Sequence, residues 1–111
     1  MIRRAFRMRV DPGQEQEYTR RHSPIWSELE QTLIDHGVAT YSIFLDPITS
    51  DLFAYVEFED EARWRQVAST ETCRRWWRHM GDIMPSEGDG SPVSRDLPEV
   101  FHLGARPRSE L

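Results

Sequence analysis

The chain has 111 residues, 38% of them hydrophobic, and a net charge of −5 at pH 7 from 19 acidic and 14 basic residues. This length suits one domain with one hydrophobic core. The arginines are mostly interleaved with acids, which argues against a nucleic-acid-binding protein, and no apolar run is long enough to cross a bilayer. The lone Cys73 excludes an intramolecular disulfide and a cysteine-cluster metal site. Since the N-terminus also lacks the apolar segment of a secretory signal, we expect a cytoplasmic protein.

The first segment of the chain predicts a strand followed by a helix. Apolar and polar residues alternate over residues 2–10, which is the period of a strand with one apolar face. Asp11 is a favourable N-cap and Pro12 a favourable first helical residue. We therefore predict a helix over residues 12–22.

A proline interrupts the helical pattern that continues beyond this point. Pro24 has no backbone N–H to donate within a helix, and its ring clashes with the carbonyl four residues earlier. We predict a second helix over residues 24–36, separated from the first by a break and capped by Ser23. Gly37 is expected to end it.

The second half of the chain predicts a hairpin, a helical region and a last strand. Residues 38–45 and 52–58 are rich in β-branched and aromatic residues on either side of a turn, which indicates a hairpin. A helical pattern runs from residue 59 to about 84 and restarts near Thr70, a good cap. Alternation at residues 99–103 predicts the last strand.

The predicted order is strand, helix, strand, strand, helix, strand. This is the ferredoxin-like βαββαβ arrangement of the α+β class, an antiparallel sheet with helices on one face. The bare face must be buried, most simply against a second copy, so we expect a two-fold dimer. Residues 1–103 form the single predicted domain, and residues 104–111 a polar tail.

Tyr18 and His22 are the first candidate site residues. They are four residues apart and therefore share one face of the first predicted helix. Tyr18 is the only large apolar side chain from residue 11 to 22, so this helix lacks the apolar stripe of one that packs only for stability. A surface or capping role is the ordinary interpretation of a histidine. The pairing instead predicts a polar pocket in which His22 acts as a general acid, at a helix C-terminus that favours imidazolium although Arg20 and Arg21 oppose it.

Trp76 and Trp77 are the second candidate feature. Adjacent helical residues point about 100° apart, so one ring can belong to the core while the other lines a pocket. An aromatic ring can stack on the C–H face of a sugar while Tyr18, Tyr41 and His22 bind its hydroxyl groups. The set predicts a small neutral polyol as ligand, and the absence of a glycine-rich loop argues against a phosphate.

The other histidines and Cys73 are weaker candidates. His36 is expected to stabilise a helix end. No pair of histidines is spaced with a carboxylate in a zinc-binding pattern. Cys73 lies on a helix stripe and is more typical of core packing than of a nucleophile.

Five segments of the chain resemble the L-rhamnose mutarotase family. They are MIRRAF at residues 1–6, EYTRRHSPIW at 17–26, VAST at 67–70, CRRWW at 73–77 and SPVS at 91–94. The resemblance extends over residues 1–103 without an obvious gap, and only the tail departs from it.

The resemblance implies an isomerase, independent of metals and cofactors, that interconverts the α and β anomers of L-rhamnopyranose. It also implies a homodimer whose sheets form a dimeric α+β barrel. His22 is implied to donate a proton to the ring oxygen, and Tyr18, Tyr41, Trp76 and Trp77 to bind the sugar. The base that takes the proton of the anomeric hydroxyl stays open between a tyrosinate, a carboxylate and a bound water.

Two other functions are compatible with this fold, because a fold does not determine function. One is a small monooxygenase or haem-degrading enzyme, with Trp76 and Trp77 lining the pocket of a flat substrate. The other is a non-catalytic module that binds a sugar.

Overall fold

A computed structural model of the chain describes residues 1–105. The elements in chain order are β1 (Ile2–Arg9), α1 (Glu15–Arg21), α2 (Ser27–Asp35), β2 (Val38–Leu45), β3 (Asp51–Phe58), α3 (Glu61–Val67), α4 (Glu71–Met80) and β4 (Arg95–Leu97). Most of the predicted tail, residues 106–111, lies outside the described residues. No helix of the described range is long and apolar enough to cross a membrane.

The four strands form one antiparallel sheet in the order β2-β3-β1-β4. This confirms the predicted α+β fold of the βαββαβ type, in which each of the two helical segments is divided into two helices.

One face of the sheet, the inner face, packs against the helices. Leu52, Ala54, Val56 and Phe58 alternate along β3 and are at most 1% exposed. The Phe58 ring stacks on Trp64 of α3 with their centroids 5.1 Å apart. The face of β3 that carries these four residues is therefore the face that the helices cover.

The opposite face of the sheet, the outer face, is exposed and partly aromatic. Phe44, Phe53 and Tyr55 are 58%, 40% and 36% exposed. Phe44 of β2 lies directly across from Phe53 of β3, and Arg7 of β1 lies on the other side of Phe53.

The first helix begins later than predicted, at Glu15 rather than at residue 12. Pro12 and Gly13 occupy a turn in which the Gln14 amide donates to the Asp11 carbonyl oxygen at 2.9 Å. Gly13 has a φ of +90°, as the third residue of a type II turn requires. Asp11 therefore closes a turn instead of capping the helix.

The second helix also begins later than predicted, at Ser27, and Trp26 is its N-cap without a side-chain cap. The predicted break is confirmed, but Ser23 does not cap the helix, and the Ser23–Pro24 peptide is cis. The Trp26 ring packs edge-on against Trp76 at 5.1 Å. The start of α2 therefore has no local side-chain cap, and its N-cap residue is held by tertiary packing.

Local signals for the ends of the other helices are partly confirmed. The Thr70 side chain caps α4 by accepting from the Cys73 amide at 3.3 Å, as predicted. The helix ends at Met80 rather than near residue 84, and the following turn places Ile83 and Met84 in the core.

The prediction of a last strand at residues 99–103 is wrong. β4 is Arg95–Leu97 and pairs with the middle of β1. Pro98 has no N–H for the ladder, so pairing ends there despite the alternation that follows.

Candidate active site

The helices and the inner face of the sheet bound a cavity of about 920 Å³. All the side chains predicted for the site line it. They come from α1 and its C-cap, from β2 and from α4, and are Tyr18, His22, Tyr41, Trp76 and Trp77.

His22 follows α1 directly as its C-cap, with Nδ1 2.7 Å from the carbonyl oxygen of Tyr18. A carbonyl oxygen can only accept, so Nδ1 carries the hydrogen and donates it. In a neutral imidazole the lone pair then belongs to Nε2, on the side of the ring away from the helix backbone. The helix end therefore defines the tautomer of His22.

The surroundings of His22 favour its neutral form. Burial lowers the pKa of His22 below its ordinary value, and the bond to the Tyr18 carbonyl opposes this more weakly. The ring stacks on Tyr18 with centroids 4.3 Å apart and meets Trp76 edge-on at 5.2 Å. The expectation that the helix terminus would favour imidazolium is wrong, because desolvation is the larger influence on the pKa.

Tyr18 and Tyr41 bring two phenols to the cavity. Tyr18 is only 7% exposed and belongs to the core cluster, so it contributes to packing as well as to the predicted pocket. Every buried side-chain oxygen in residues 1–105 has a hydrogen-bond partner. Each of these two hydroxyl groups is therefore either accessible or hydrogen-bonded. Burial raises the pKa of both phenols, and the nearby Tyr18 adds to the shift of Tyr41. Both therefore stay protonated near neutral pH, which removes a tyrosinate from the candidate bases.

Trp76 and Trp77 divide between core and boundary. Trp76 is 8% exposed and contacts both His22 and Trp26 edge-on. Trp77 is partly buried and packs against the same core from the cavity side. Which ring stacks on a ligand stays a prediction.

Arg4 is a cavity residue that the sequence reasoning missed. Its guanidinium donates to both carboxylate oxygens of Glu61, at 2.8 and 2.7 Å, and lies 5.4 Å from the centre of the Phe58 ring. The hydrogen bonds from Arg4 are the main reason that the pKa of Glu61 is lowered to about 2. The signal was available, since the alternation of β1 places Arg4 on the same face as Phe6.

Asp96 is the second residue that the sequence reasoning missed. It lies opposite Phe6 in the pairing of β4 with β1 and lines the cavity. Glu30 and Glu61 are the other carboxylates of the lining, and Glu61 is committed to Arg4. No sequence signal pointed to Asp96, because β4 was expected elsewhere.

In the described part of the chain, no three His, Cys, Asp or Glu side chains come together as a set that could hold a metal ion.

Arg21 holds the end of α1 in place beside the cavity. Its side chain is 11% exposed, and it donates to the His79 carbonyl oxygen at 2.7 Å and to the carboxylates of Asp82 and Glu17 at 2.8 and 2.7 Å. These bonds join α1 to the end of α4. The position of His22, the next residue, depends on this junction.

A family model described as L-rhamnose mutarotase matches residues 3–103. The chain belongs to the L-rhamnose mutarotase family. The L-rhamnose mutarotase of Opitutus terrae is 65% identical over 103 residues, covering 93% of this chain and 99% of that protein. That of an Enterobacter species is 57% identical with the same coverage.

Solved structures support the same family and fold. The crystal structure of an L-rhamnose mutarotase from Formosa agariphila is 42% identical, covers 94% of this chain and 100% of that one, and superposes with a TM-score of 0.86. An antibiotic biosynthesis monooxygenase superposes with a TM-score of 0.61 at 14% identity over 91% of this chain, so it shares the fold alone. The resemblance noted in the sequence is confirmed for family and fold.

Proposed function

We propose that this chain is an isomerase that interconverts the α and β anomers of L-rhamnose. Relatives with this name match it over 99% of their length. The observation that carries the chemistry is the His22 imidazole, which is held neutral in one tautomer at a cavity lined by two protonated phenols.

Mutarotation breaks the C1–O5 bond, takes the proton of the anomeric hydroxyl O1 and supplies one to O5. In our proposal, Nε2 of neutral His22 accepts the O1 proton. The O1 electron pair forms the aldehyde as C1–O5 breaks, and the imidazolium gives the same proton to O5. Rotation about C1–C2 presents the other aldehyde face, and the reverse steps close the ring.

This assignment keeps His22 as the proton donor to the ring oxygen, as the resemblance implies, and also makes it the acceptor. O1 and O5 are both bonded to C1, so one nitrogen can serve both. No separate base is then needed. Each proton transfer by a positioned side chain typically contributes about a hundredfold to ten-thousandfold in rate.

Sugar binding is assigned to the other cavity residues. We propose that Tyr18 and Tyr41 hydrogen-bond sugar hydroxyl groups, that Trp76 and Trp77 cover the C–H face, and that Asp96 accepts from a further hydroxyl. The cavity of about 920 Å³ lies within the range of about 300–1,000 Å³ typical of small-molecule sites.

We also propose that the chain is a homodimer of the dimeric α+β barrel type in the cytoplasm. The exposed aromatic outer face, with Phe44, Phe53 and Tyr55, supports association of two sheets. A buried free thiol at Cys73 is compatible with a reducing compartment.

Saturation-transfer NMR on L-rhamnose tests the proposed activity, because it measures how fast the two anomers interconvert. The native protein should accelerate exchange between the anomeric proton signals, and His22→Ala should abolish the acceleration while the circular dichroism spectrum stays native. A module that only binds the sugar would broaden the signals without exchange, and a monooxygenase would do neither.

His36→Ala is a matched control. His36 ends α2 as His22 ends α1, with Nδ1 2.7 Å from the Thr32 carbonyl oxygen, but it does not line the cavity. Exchange should therefore survive in this variant. Equal loss in both variants, or undiminished exchange in His22→Ala, would remove His22 from the mechanism.

A further inference from the structure

The cavity is larger than one monosaccharide requires. Arg4 and Met8 both line it and lie four residues apart on β1, which corresponds to about 13 Å at about 3.3 Å per strand residue. Its volume of about 920 Å³ equals that of about thirty water molecules at about 30 Å³ each in the liquid. A monosaccharide has fewer than half as many non-hydrogen atoms. The cavity therefore has room for a second group of similar size.

Residues without a role in binding L-rhamnose line the cavity beyond Tyr41, beside α3. Tyr41 lies opposite Val56 of β3, and Arg4 lies on the other side of Val56, so the three residues form one row across the inner face. The Tyr41 ring is 6.1 Å from that of Trp64 on α3. We call this part of the cavity the α3 lobe, and its residues are Arg4, Glu61, Trp64 and Arg65.

The helix that carries Tyr18 is attached at the other end of β1. The Ser50 hydroxyl donates to the Glu15 carboxylate of α1 at 2.6 Å, and the Ser50 carbonyl oxygen accepts from the Val10 amide at 3.1 Å. Val10 follows the last residue of β1, whereas Arg4, which bonds Glu61 of α3, lies near its start. The helices α1 and α3 are thus fixed at opposite ends of the strand that the cavity follows.

The α3 lobe has the chemistry of a site for a neutral polyol. Within residues 1–105, the Arg4 side chain hydrogen-bonds only Glu61, which takes two of its five N–H donors. The two side chains are 30% and 34% exposed, so the pair presents donors and acceptors together without a net charge. Arg65 and Asp96, which also line the cavity, add one charge of each sign. The half-buried indole of Trp64 adds apolar surface beside the pair.

The reaction determines how a second group is attached to the sugar. O1 and O5 must be free at His22, and O4 lies across the pyranose ring from C1. We propose that the α3 lobe is a subsite for a second, neutral sugar ring linked to O4 of the reducing rhamnose, so that the chain also interconverts the anomers of 4-linked reducing disaccharides. The glycosidic bond stays intact, and the proton transfers are those at O1 and O5. This inference rests on the proposed function.

Saturation-transfer NMR on 4-O-α-L-rhamnopyranosyl-L-rhamnose tests the proposal with the native chain. We expect accelerated exchange between the two anomeric proton signals of the reducing ring. Its kcat/KM should lie within about tenfold of that for L-rhamnose, because the second ring does not touch the reacting atoms. The anomeric proton of the non-reducing ring is an internal reference, since its C1 is held in the glycosidic bond and cannot exchange.

The 2-O-linked isomer of this disaccharide is the control substrate. Its second ring is attached next to C1 and therefore meets the His22 end of the cavity instead of the α3 lobe. Its kcat/KM should be at least about tenfold lower than that of the 4-linked isomer, because the reacting atoms are displaced from His22. Equal acceleration of both isomers would show that the second ring stays in solvent, and would overturn the subsite.

Glu61→Gln tests the lobe itself. The substitution removes the charge that holds Arg4, and should raise KM for the 4-linked disaccharide at least about tenfold, because hydrogen bonds to charged groups are the stronger ones. Exchange of L-rhamnose should be unchanged, which also shows that the variant is folded. Glu28→Gln is the matched control, because Glu28 bonds Arg75 at 2.6 Å but does not line the cavity. If Glu61→Gln fails to fold, the comparison of the two isomers by the native chain decides.

The outcomes separate the subsite from the proposed function. Native exchange of L-rhamnose without exchange of the 4-linked disaccharide overturns the subsite and leaves the mutarotase activity standing. The same holds if Glu61→Gln changes KM for both sugars alike, or for neither. A native chain that does not accelerate exchange of L-rhamnose overturns the proposed function and this inference together.

Discussion

At the scale of single residues, His22 and His36 make the same hydrogen bond at a helix end but lie in different surroundings. Both rings bond a backbone carbonyl four residues earlier through Nδ1, at 2.7 Å. Only His22 lines the cavity, where Tyr18 and Trp76 desolvate it. The helix end defines the tautomer in both cases, while the environment decides which ring can exchange a proton with a ligand.

The proposed mechanism predicts the pH dependence of the rate. His22 must be neutral to accept the first proton, and burial lowers its pKa below the ordinary value of 6.5. Activity is therefore lost as the pH falls through the His22 pKa, and kcat/KM should rise with pH with a midpoint below 6.5. Exchange rates measured across this range check the sign. A kcat/KM that falls with rising pH would contradict the mechanism and indicate an imidazolium acid, with Asp96 as the separate base.

Tyr18→Phe keeps the ring that stacks on His22 and removes the hydroxyl proposed to bind the sugar. A lost hydrogen bond of about 1.5 kcal/mol should raise KM about tenfold, with a smaller effect on kcat. Initial rates against L-rhamnose concentration give both constants. Tyr55→Phe is the control, because the Tyr55 hydroxyl bonds Glu57 at 2.9 Å on the outer face. An unchanged KM in Tyr18→Phe would count against the assigned role.

At the scale of elements, the junction between α1 and α4 positions the site. α1 has seven residues and one buried side chain, so it contributes little packing of its own. Arg21 supplies the connection by bonding the His79 carbonyl oxygen and the Asp82 carboxylate. Such a short helix is held by tertiary contacts rather than by its helical propensity.

Arg21→Gln should therefore lower both stability and activity. We expect the melting temperature to fall by several degrees, since about 1 kcal/mol corresponds to about 4–8 °C in a domain of this size, and kcat/KM to fall about tenfold as His22 loses its position. Arg20→Gln is the matched control, because Arg20 bonds the same Glu17 but its side chain is 71% exposed. Equal effects of the two substitutions would show that Arg21 does not hold the junction.

At the scale of the whole molecule, the two faces of the sheet have different surroundings. The inner face and the helices bound a cavity within one chain. The outer face exposes the pair Phe44 and Phe53. Association through the outer face would therefore leave the cavity lining described here in place.

Phe53→Asp places a charge at the centre of the outer face and should dissociate the proposed homodimer. Sedimentation equilibrium measures the dissociation constant, which should rise by more than tenfold. Exchange of L-rhamnose anomers per chain should persist, because the five proposed site residues line one chain's cavity. An undisturbed dimer would show that the two copies meet elsewhere, and a monomeric variant without activity would show that the cavity needs the partner.

The sequence alone determined those features whose causes are local. Alternation predicted β1, β2 and β3, a proline predicted the break between α1 and α2, and Gly37 and Thr70 marked helix ends. The spacing of Tyr18 and His22 predicted that they share a pocket, and both line the cavity. Such features depend on hydrogen bonds and side-chain directions within a few residues.

Tertiary structure alone decided the position of β4, the start of α2, the places of Arg4 and Asp96 in the cavity and the neutral state of His22. An edge strand exists only where a partner strand offers its backbone, which is why alternation after Pro98 predicted a strand in the wrong place. The His22 pKa depends on desolvation by side chains from distant parts of the chain, and no local pattern records which of them will meet.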